Sequence, residues 1–505
     1  MGLSNKRVAV IGLDGANWDF LNKMIKIGGM PETKKLLNHA TKATIKSFPP
    51  VTPPAWASIT TGVNPGKHGI FGFIHHDVQS GAQKLATTLD LEHPRIYEML
   101  AMQGYNSLVF NPIPAYPIMP MKNLKIASIA FSPKPSFYPS KMSYYAKNFP
   151  DYTENLEARR SGKGMDKYLD LKYERTHQRI VTIKKALKNE TWDMAWIRLQ
   201  DPDSLLHIAY DEALSGNSKV KKIMREIDSL VGNIHDRVNL LVIVSDHGLK
   251  KFVAEININT ILYKNGFINV SFNNNFLESD DVIHKNSIIN SNIIVPNIFI
   301  NLLSNKYLHF YGIIIKNLIK KFFGKELLIN YQNVDPLTSD AYLIGRYNYG
   351  IIIKNSSYYD HIRNILLKYK GIKEVINKKQ IFWGPYVKNA PDLMIYPDYD
   401  NGYNLGRNKI YNQIYNYSKN MINHDLYGIM CFIGKDINPI NLKNINTWDV
   451  APLIMKYMNV PLPHDHDGKV CKNLFTCELK NNNLCNYNLE WNILKRKYCE
   501  HTYIK

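Results

Sequence analysis

The stretch Arg7–Asp14, RVAVIGLD, decides the fold class, because an unbroken run of apolar and small residues ends at a carboxylate. Such a run predicts a β-strand that is buried on both faces. Similar runs occur at Met194–Leu199 and Leu240–Val244, and helical patterns such as Trp18–Lys26 and Arg225–Arg237 occur between the runs. Strands that alternate with helices predict an α/β protein with a doubly wound, mostly parallel sheet and helices on both faces.

The overall composition agrees with a large globular chain. The 505 residues are 45% hydrophobic and 21% charged, which excludes a disordered or fibrous protein. The formal net charge is +20, a value that would suit nucleic acid or an anionic membrane as partner. However, the basic residues are scattered, no nucleic-acid motif accompanies them, and Asn, Ile and Tyr are abundant as well. We therefore do not expect nucleic acid to be the main partner.

One long segment interrupts the α/β pattern. Residues 255–332 are rich in Asn and Ile and contain few candidate catalytic groups. We interpret them as an insertion or lid between a first part of the core, 1–254, and a second part, 333–475. Residues 476–505 are polar and rich in Asn, and they predict a loosely packed tail.

The same insertion contains a stripe of apolar residues at helical spacing, opposite several lysines. The stripe consists of Ile314, Ile315, Leu318, Ile319 and Phe322. We interpret it as the buried face of a lid helix, with a helix that lies on a membrane surface as the alternative. No run approaches the roughly 18 apolar residues of a membrane span. Because Val8–Leu13 is too short for a signal-peptide core and the five cysteines form no CxxC pair, we expect a cytoplasmic protein with reduced thiols.

Acidic and histidine side chains occur next to several of the predicted strands. They are Asp14, Asp203, His207, Asp246, His247 and His424. In open α/β sheets ligands bind beyond the carboxyl ends of the strands, and carboxylate and imidazole are the ligand types of zinc and related divalent metals. Asp203 and His207 are four residues apart, so on a helix both project from one face. The sequence therefore predicts a metal site at this edge of the sheet.

A candidate nucleophile lies in the stretch Val51–Ser58, VTPPAWAS. Thr52 followed by Pro53 predicts the start of a helix, with Thr52 as N-cap and Pro53 at the first helical position. Capping alone would explain the threonine. A hydroxyl at a helix N-terminus is also placed where free N–H groups and the helix dipole stabilise an alkoxide and a phosphate. A nearby metal would activate such a hydroxyl as a nucleophile.

Taken together, these motifs resemble the type I phosphodiesterase/nucleotide pyrophosphatase family of the alkaline phosphatase superfamily. The resemblance runs through Ile11–Gly15, Val51–Phe71, Asp201–His207, Val244–Gly248, Gly384–Ile395, His424–Ile429 and Asp449–Lys469. It covers nearly the whole chain apart from the Asn-rich insertion and the tail. The order and combination of the motifs make the resemblance specific.

The resemblance implies an alkaline-phosphatase-like core, two divalent metal ions and a small-molecule phosphate ester as substrate. It implies one ion held by Asp203, His207 and His424. It implies that the other ion is held by Asp14, Asp246 and His247, with the Thr52 hydroxyl as a further ligand. The implied mechanism is attack of Thr52 on phosphorus, which gives a phospho-threonyl intermediate. We expect zinc, with manganese and iron as alternatives, because carboxylate–imidazole sites accept all three.

Two positions depart from the pattern of nucleotide pyrophosphatases in this family. Phe73 stands twenty-one positions after Thr52, where many relatives have an Asn that donates to the phosphate, and Pro53 stands where they often have an aromatic residue. We expect Lys67 to lend a positive charge to the phosphate and Phe73 to form an apolar wall. The expected function is hydrolysis of phosphate diesters or pyrophosphates. A phosphomonoesterase on the same site and a non-catalytic basic binding protein are the alternatives.

Overall fold

The computed structural model describes residues 6–76, 83–129, 135–149, 164–270, 334–343, 349–406, 408–476 and 483–503. The strands are β1 Val8–Leu13, β2 Thr41–Lys46, β3 Ile74–His76, β4 Gln83–Leu85, β5 Ser107–Phe110, β6 Leu124–Ser128, β7 Ser136–Tyr138, β8 Met194–Leu199, β9 Leu240–Val244, β10 Gly248–Ile256, β11 Ala341–Leu343, β12 Gly350–Ile353, β13 Ile372–Asn377, β14 Leu393–Pro397, β15 Tyr403–Leu405, β16 Tyr415–Asp425, β17 Tyr427–Gly434, β18 Asn441–Asn446, β19 Leu462–Pro463 and β20 Leu484–Cys485. The α-helices are Trp18–Lys26, Pro31–Leu36, Thr52–Thr61, Pro65–His68, Ile96–Met102, Ser143–Asn148, Gly164–Asn189, Asp203–Ser215, Ser218–His235, Ile258–Lys264, Tyr359–Leu366, Lys378–Ile381, Val450–Tyr457 and Tyr487–Tyr503.

The central sheet has the strand order β18-β2-β17-β9-β1-β8-β5-β6-β7. The five neighbours from β9 to β6 are parallel, whereas β17 and β7 run antiparallel to the strands beside them. The register places Leu13 opposite Leu199 and Gly12 opposite Val244, so β1, β8 and β9 end at nearly the same level. The loops that follow these three strands therefore start side by side. The predicted doubly wound, mostly parallel sheet is confirmed.

Each face of this sheet packs against helices. On β1, Ile11 belongs to a core cluster with Met24 and Ile227, while Val10 belongs to a second cluster with Trp56 on the opposite face. Both faces of β1 are thus buried, which explains why its sequence shows no alternation of apolar and polar residues.

A second region, which we call the cap, lies next to this core. It contains a three-stranded sheet, β15-β10-β16, and a four-stranded sheet, β11-β12-β14-β13. A third apolar cluster joins Ile256 and Ile261 to Leu393 of the cap, and it includes Val51 beside the candidate nucleophile. Strand β10 runs across the predicted boundary at residue 254, and residues 255–270 pack with the cap. The rest of the predicted insertion, with its apolar stripe, lies outside the described residues.

The C-terminal segment differs from the prediction of a loosely packed tail. Residues Tyr487–Tyr503 form a helix, and Trp491 on it is fully buried and donates from Nε1 to the carbonyl oxygen of Leu91 at 3.0 Å. Tyr487 is also buried, against the second core cluster. The two aromatic side chains anchor a helix whose average composition is polar, and average composition was therefore a poor guide here. Across the described ranges, none of the helices has both the length and the apolar character that crossing a bilayer would require.

Candidate active site

Asp203, His207 and His424 form an outer cluster at the carboxyl edge of the sheet. His207 Nε2 lies 3.3 Å from Asp203 Oδ1 and 3.2 Å from His424 Nε2, and His424 Nε2 lies 3.6 Å from Asp203 Oδ1. One donor atom of each residue lies within 4.8 Å of the others. The side chains of Asp203 and His207 are 15% and 24% exposed, so this cluster reaches solvent.

Two separate elements build the outer cluster. The helix Asp203–Ser215 starts at Asp203, which puts Asp203 and His207 on one face one turn apart, as predicted. His424 comes from β16, which pairs with β10 and places His424 opposite Leu249. His424 Nδ1 lies 2.8 Å from the carbonyl oxygen of Pro50, and a proton on Nδ1 leaves the Nε2 lone pair for the cluster. This contact also joins β16 to the segment just before Thr52.

Asp14, Asp246 and His247 form an inner cluster directly behind the outer one. His247 Nε2 lies 3.3 Å from Asp246 Oδ2 and 3.7 Å from Asp14 Oδ1. These side chains are at most 1% exposed. Asp14 follows β1, and Asp246 and His247 follow β9, so the parallel pairing of the two strands brings the three residues together.

Thr52 lies at the junction of the two clusters. Its Oγ1 is 3.2 Å from His247 Nε2, and the His247 ring stacks on the His424 ring with 3.9 Å between centroids. The predicted capping role is wrong: the N-cap is Val51, whose carbonyl oxygen accepts from Ala55 N at 3.1 Å, and no side chain caps this helix. Thr52 is instead the first helical residue, and its hydroxyl faces the histidines.

The start of this helix also offers fewer N–H donors than we expected. Pro53 and Pro54 carry no N–H, and the N–H of Ala55 is bonded to Val51. The backbone of the first turn after Thr52 therefore cannot stabilise a phosphate through these three residues. The negative charge of a bound phosphate has to be neutralised by other groups.

Buried carboxylates dominate the electrostatics of the site. Burial raises the pKa of Asp14, partly against the effect of Arg198, and burial together with the neighbouring Asp14 raises the pKa of Asp246 well above its usual value. Burial also acts to raise the pKa of Asp203, but the interaction with His207 outweighs it and holds that pKa below the usual range. A bound cation would stabilise the ionised form of such buried carboxylates.

The chemistry of the two clusters fits divalent metal ions. Asp14 Oδ1 and Asp246 Oδ2 are buried but have no hydrogen-bond partner among the described residues. Burial lowers the pKa of both His247 and His424, so both imidazoles stay neutral and able to ligate. His247 Nδ1 lies 3.2 Å from the carbonyl oxygen of Gly248, which orients Nε2 toward the cluster.

Lys67 and Phe73 do not belong to either ligand cluster. Lys67 Nζ lies 2.6 Å from Asp467 Oδ1 and donates to the carbonyl oxygen of Asp465 at 2.6 Å. Phe73 is partly buried against the third apolar cluster, which includes residues of the cap. For both residues, contact with a substrate stays a prediction.

Two residues that contact Asp14 of the inner cluster were not predicted from the sequence. Arg198 forms an ion pair with Asp14, and Trp56 donates to the same carboxylate. A charged residue within the otherwise apolar strand MAWIRL was the available signal. Likewise, Asp201 is not a ligand candidate, because Lys172 and Arg179 of the helix Gly164–Asn189 neutralise it at 2.5 and 3.3 Å.

Comparison with known proteins identifies the family of the chain. The family model described as type I phosphodiesterase / nucleotide pyrophosphatase matches residues 8–413. The chain belongs to this family. The protein is therefore a hydrolase of phosphoric esters or diphosphates, and members of the family are metal-dependent.

Solved structures show the same fold at low sequence identity. The wild-type alkaline phosphatase PafA has a TM-score of 0.54 at 12% identity, with 94% of this chain and 99% of that chain covered. Phosphonoacetate hydrolase from Sinorhizobium meliloti 1021, in complex with phosphonoacetate, has a TM-score of 0.51 at 13% identity, with 89% and 95% covered. Among curated proteins, no sequence matches this chain. The alkaline-phosphatase-like fold is thus confirmed.

Proposed function

We propose that this protein hydrolyses phosphate diesters or pyrophosphates of small molecules, with Thr52 as the nucleophile. The position of the Thr52 hydroxyl carries the proposal. Its Oγ1 is 3.2 Å from His247 of the inner cluster, and His247 stacks on His424 of the outer cluster. In a two-metal site the attacking oxygen is stabilised by a nearby ion, and the contact of Thr52 with His247 supports this role.

The two clusters would each hold one divalent ion, and we propose zinc. Asp203, His207 and His424 would hold the outer ion, and Asp14, Asp246 and His247 the inner ion, with Thr52 Oγ1 beside it. Bound there, the two ions would neutralise the phosphoryl oxygens and favour ionisation of the threonine hydroxyl. This contribution is essential here, because the helix start has few free N–H groups and Lys67 is paired with Asp467.

The reaction takes place in two displacements at phosphorus. In the first, Thr52 Oγ1 loses its proton to solvent and bonds to phosphorus, while the bond to the leaving oxygen breaks and that oxygen takes up a proton. In the second, a water molecule loses a proton to solvent and its oxygen bonds to phosphorus, the Thr52–phosphorus bond breaks, and Thr52 Oγ1 takes up a proton. His247 and His424 keep their places during both steps because their Nδ1 atoms lie against the carbonyl oxygens of Gly248 and Pro50. As in other phosphoryl transfers, positioning and charge neutralisation supply most of the rate.

Aromatic residues that pack against the third apolar cluster favour a leaving group that is less polar than a nucleotide. Phe73 and Phe71 both pack against this cluster, and the Phe71 ring lies 5.4 Å from that of Phe382. An aromatic ring at position 73 cannot donate a hydrogen bond to phosphate, whereas it can contact an apolar group.

A hydrolysis panel tests the proposed function. The protein, loaded with zinc, manganese or iron, is assayed against an aryl phosphate diester, the matching monoester, a dinucleotide polyphosphate and a phospholipid head-group analogue. We expect the diester to be cleaved faster than the monoester, and a phosphate adduct on Thr52 to be detected by mass spectrometry after acid quench. Faster cleavage of the monoester would make the protein a phosphomonoesterase, and no hydrolysis with any metal would contradict the proposal.

We also propose a cytoplasmic location, on the basis of the cysteines, which form no CxxC pair and are free at the four described positions. Cell fractionation with an antibody against the protein tests this. Recovery in the membrane fraction would favour the alternative of contact with a membrane surface.

A further inference from the structure

Arg198 is a buried cation within the central sheet. It lies on β8 between apolar neighbours, is 1% exposed, and stands opposite Gly12 of β1 in the parallel register. Gly12 provides space for the Trp56 ring, because a Cβ atom at Gly12 would lie 2.5 Å from that ring. The guanidinium of Arg198 lies 5.9 Å from the centroid of the same ring. Arg198 and Trp56 therefore meet beside the end of β1, where Asp14 follows.

Stability alone does not explain this arginine. Its Nε and Nη1 atoms are buried and have no hydrogen-bond partner among the described residues. Burying an arginine and its carboxylate partner costs free energy of desolvation, and replacing such a buried pair with apolar side chains of similar volume is often neutral or stabilising. What the guanidinium does contact is the carboxylate of Asp14, through Nη2.

The contacts of Asp14 are divided between its two oxygens. Oδ2 accepts from Arg198 Nη2 and from Trp56 Nε1, the latter at 3.2 Å. Oδ1 has no hydrogen-bond partner and lies 3.7 Å from His247 Nε2 in the inner cluster. One oxygen is thus held from behind by two donors, and the other is directed toward the metal-binding atoms.

We propose that Arg198, assisted by Trp56, is a positioning residue for the inner metal ion: it presents Asp14 through Oδ1 alone and offsets one of the negative charges crowded there. The inference deepens the proposed function, since it concerns the same site, but it makes a statement about metal affinity rather than about hydrolysis. Substitution of a residue that forms a hydrogen bond with a metal ligand typically lowers metal affinity by roughly 10- to 100-fold.

The test is the metal affinity of purified Arg198→Met, measured by competition with a chromophoric chelator for zinc. We expect the parent protein to bind two ions and Arg198→Met to bind the inner ion roughly 10- to 100-fold more weakly, with the outer ion less affected. Arg198→Lys, which keeps the charge but loses the planar guanidinium, should lie between them. Trp56→Phe removes the second donor and should weaken the same ion by a smaller factor.

Arg95→Met is the matched control, because Arg95 is equally buried but pairs with Glu98, which belongs to neither cluster. If Arg198→Met does not fold, the milder Trp56→Phe and Arg198→Lys variants still decide the question. Unchanged affinity for the inner ion in the variants that fold, or the same loss in Arg95→Met, would overturn the role of Arg198. A protein that binds both ions as expected but hydrolyses no phosphate ester would contradict the proposed function and leave this inference standing.

Discussion

The outer and inner clusters use the same kinds of ligand but are held in the protein in different ways. The outer cluster reaches solvent, and its members come from a helix start and from β16, more than two hundred residues later in the chain. The inner cluster is at most 1% exposed and sits at the ends of two adjacent parallel strands. The comparison indicates that the inner cluster is part of the core of the fold, whereas the outer cluster depends on the correct docking of β16.

The charges of the two clusters are balanced differently as well. Asp203 has two imidazoles beside it, and its pKa lies below the usual range once burial is outweighed. Asp246 is buried next to Asp14, and within the described ranges no lysine or arginine forms an ion pair with it; its pKa is raised by burial and by Asp14. Without a bound cation, ionised carboxylates are therefore less favourable in the inner cluster than in the outer cluster.

The largest expected effect concerns the proposed nucleophile, which contacts the inner cluster through His247. Thr52→Ala should lower kcat by about three orders of magnitude or more, because the covalent route is lost. Both ions should still bind, since the six carboxylate and imidazole ligands remain, and metal analysis of the purified variant checks this. Thr52→Ser should retain partial activity. An alanine variant as active as the parent would contradict the role of Thr52 as nucleophile.

A chelator should remove the two metal ions at different rates. We expect a chelator to remove one ion about tenfold faster than the other, because the outer cluster reaches solvent and the inner one needs a local opening of the fold. The release of zinc to a chromophoric chelator, followed over time, measures this. His424→Ala should abolish the fast phase and leave the slow one. A single phase of release in the parent protein would show that the difference in burial does not control exchange.

Substitution of one carboxylate in each cluster should change stability in opposite directions in the metal-free protein. Asp246→Asn should raise the free energy of unfolding by about 1 kcal/mol, because it removes a carboxyl group whose ionised form is destabilised by burial and by Asp14. Asp203→Asn should lower it by a similar amount, because it removes the partner of His207 and His424.

Urea denaturation at neutral pH, with excess chelator present, measures both changes. Each variant should also bind one ion fewer than the parent, which ties the stability change to the cluster concerned. The same direction of change in both variants would contradict the electrostatic difference between the clusters.

The smallest expected effect concerns the substrate side of the site. Phe73→Asn should raise turnover of dinucleotide polyphosphates several-fold relative to an aryl diester, since an amide can donate to a phosphate oxygen and a phenyl ring cannot. Steady-state kinetics on both substrates measures the ratio. If the parent already cleaves dinucleotide polyphosphates efficiently, or if both activities fall alike, Phe73 has a packing role.

Particular residues show how much of the structure could be predicted from the sequence. The strands next to the inner cluster were visible as apolar runs, and β8 and β9 have the predicted bounds, because a strand buried on both faces needs such a run. The pair Asp203 and His207 was visible from its spacing, because four residues correspond to about one helical turn. The prediction of a loosely packed tail was wrong, because two buried aromatic residues hold that helix against the core although its average composition is polar.

What the sequence by itself determined was the local chemistry: which strands end in carboxylates, which helix carries two ligands on one face, and which threonine starts a helix. The tertiary structure decided which of these groups meet. The stack of His247 on His424, the pairing of Lys67 with Asp467 and the support of Asp14 by Arg198 all join residues that are far apart in the chain. Such contacts depend on strand order and on the docking of the cap, and these are set by packing between distant segments, which the local pattern of residues does not encode.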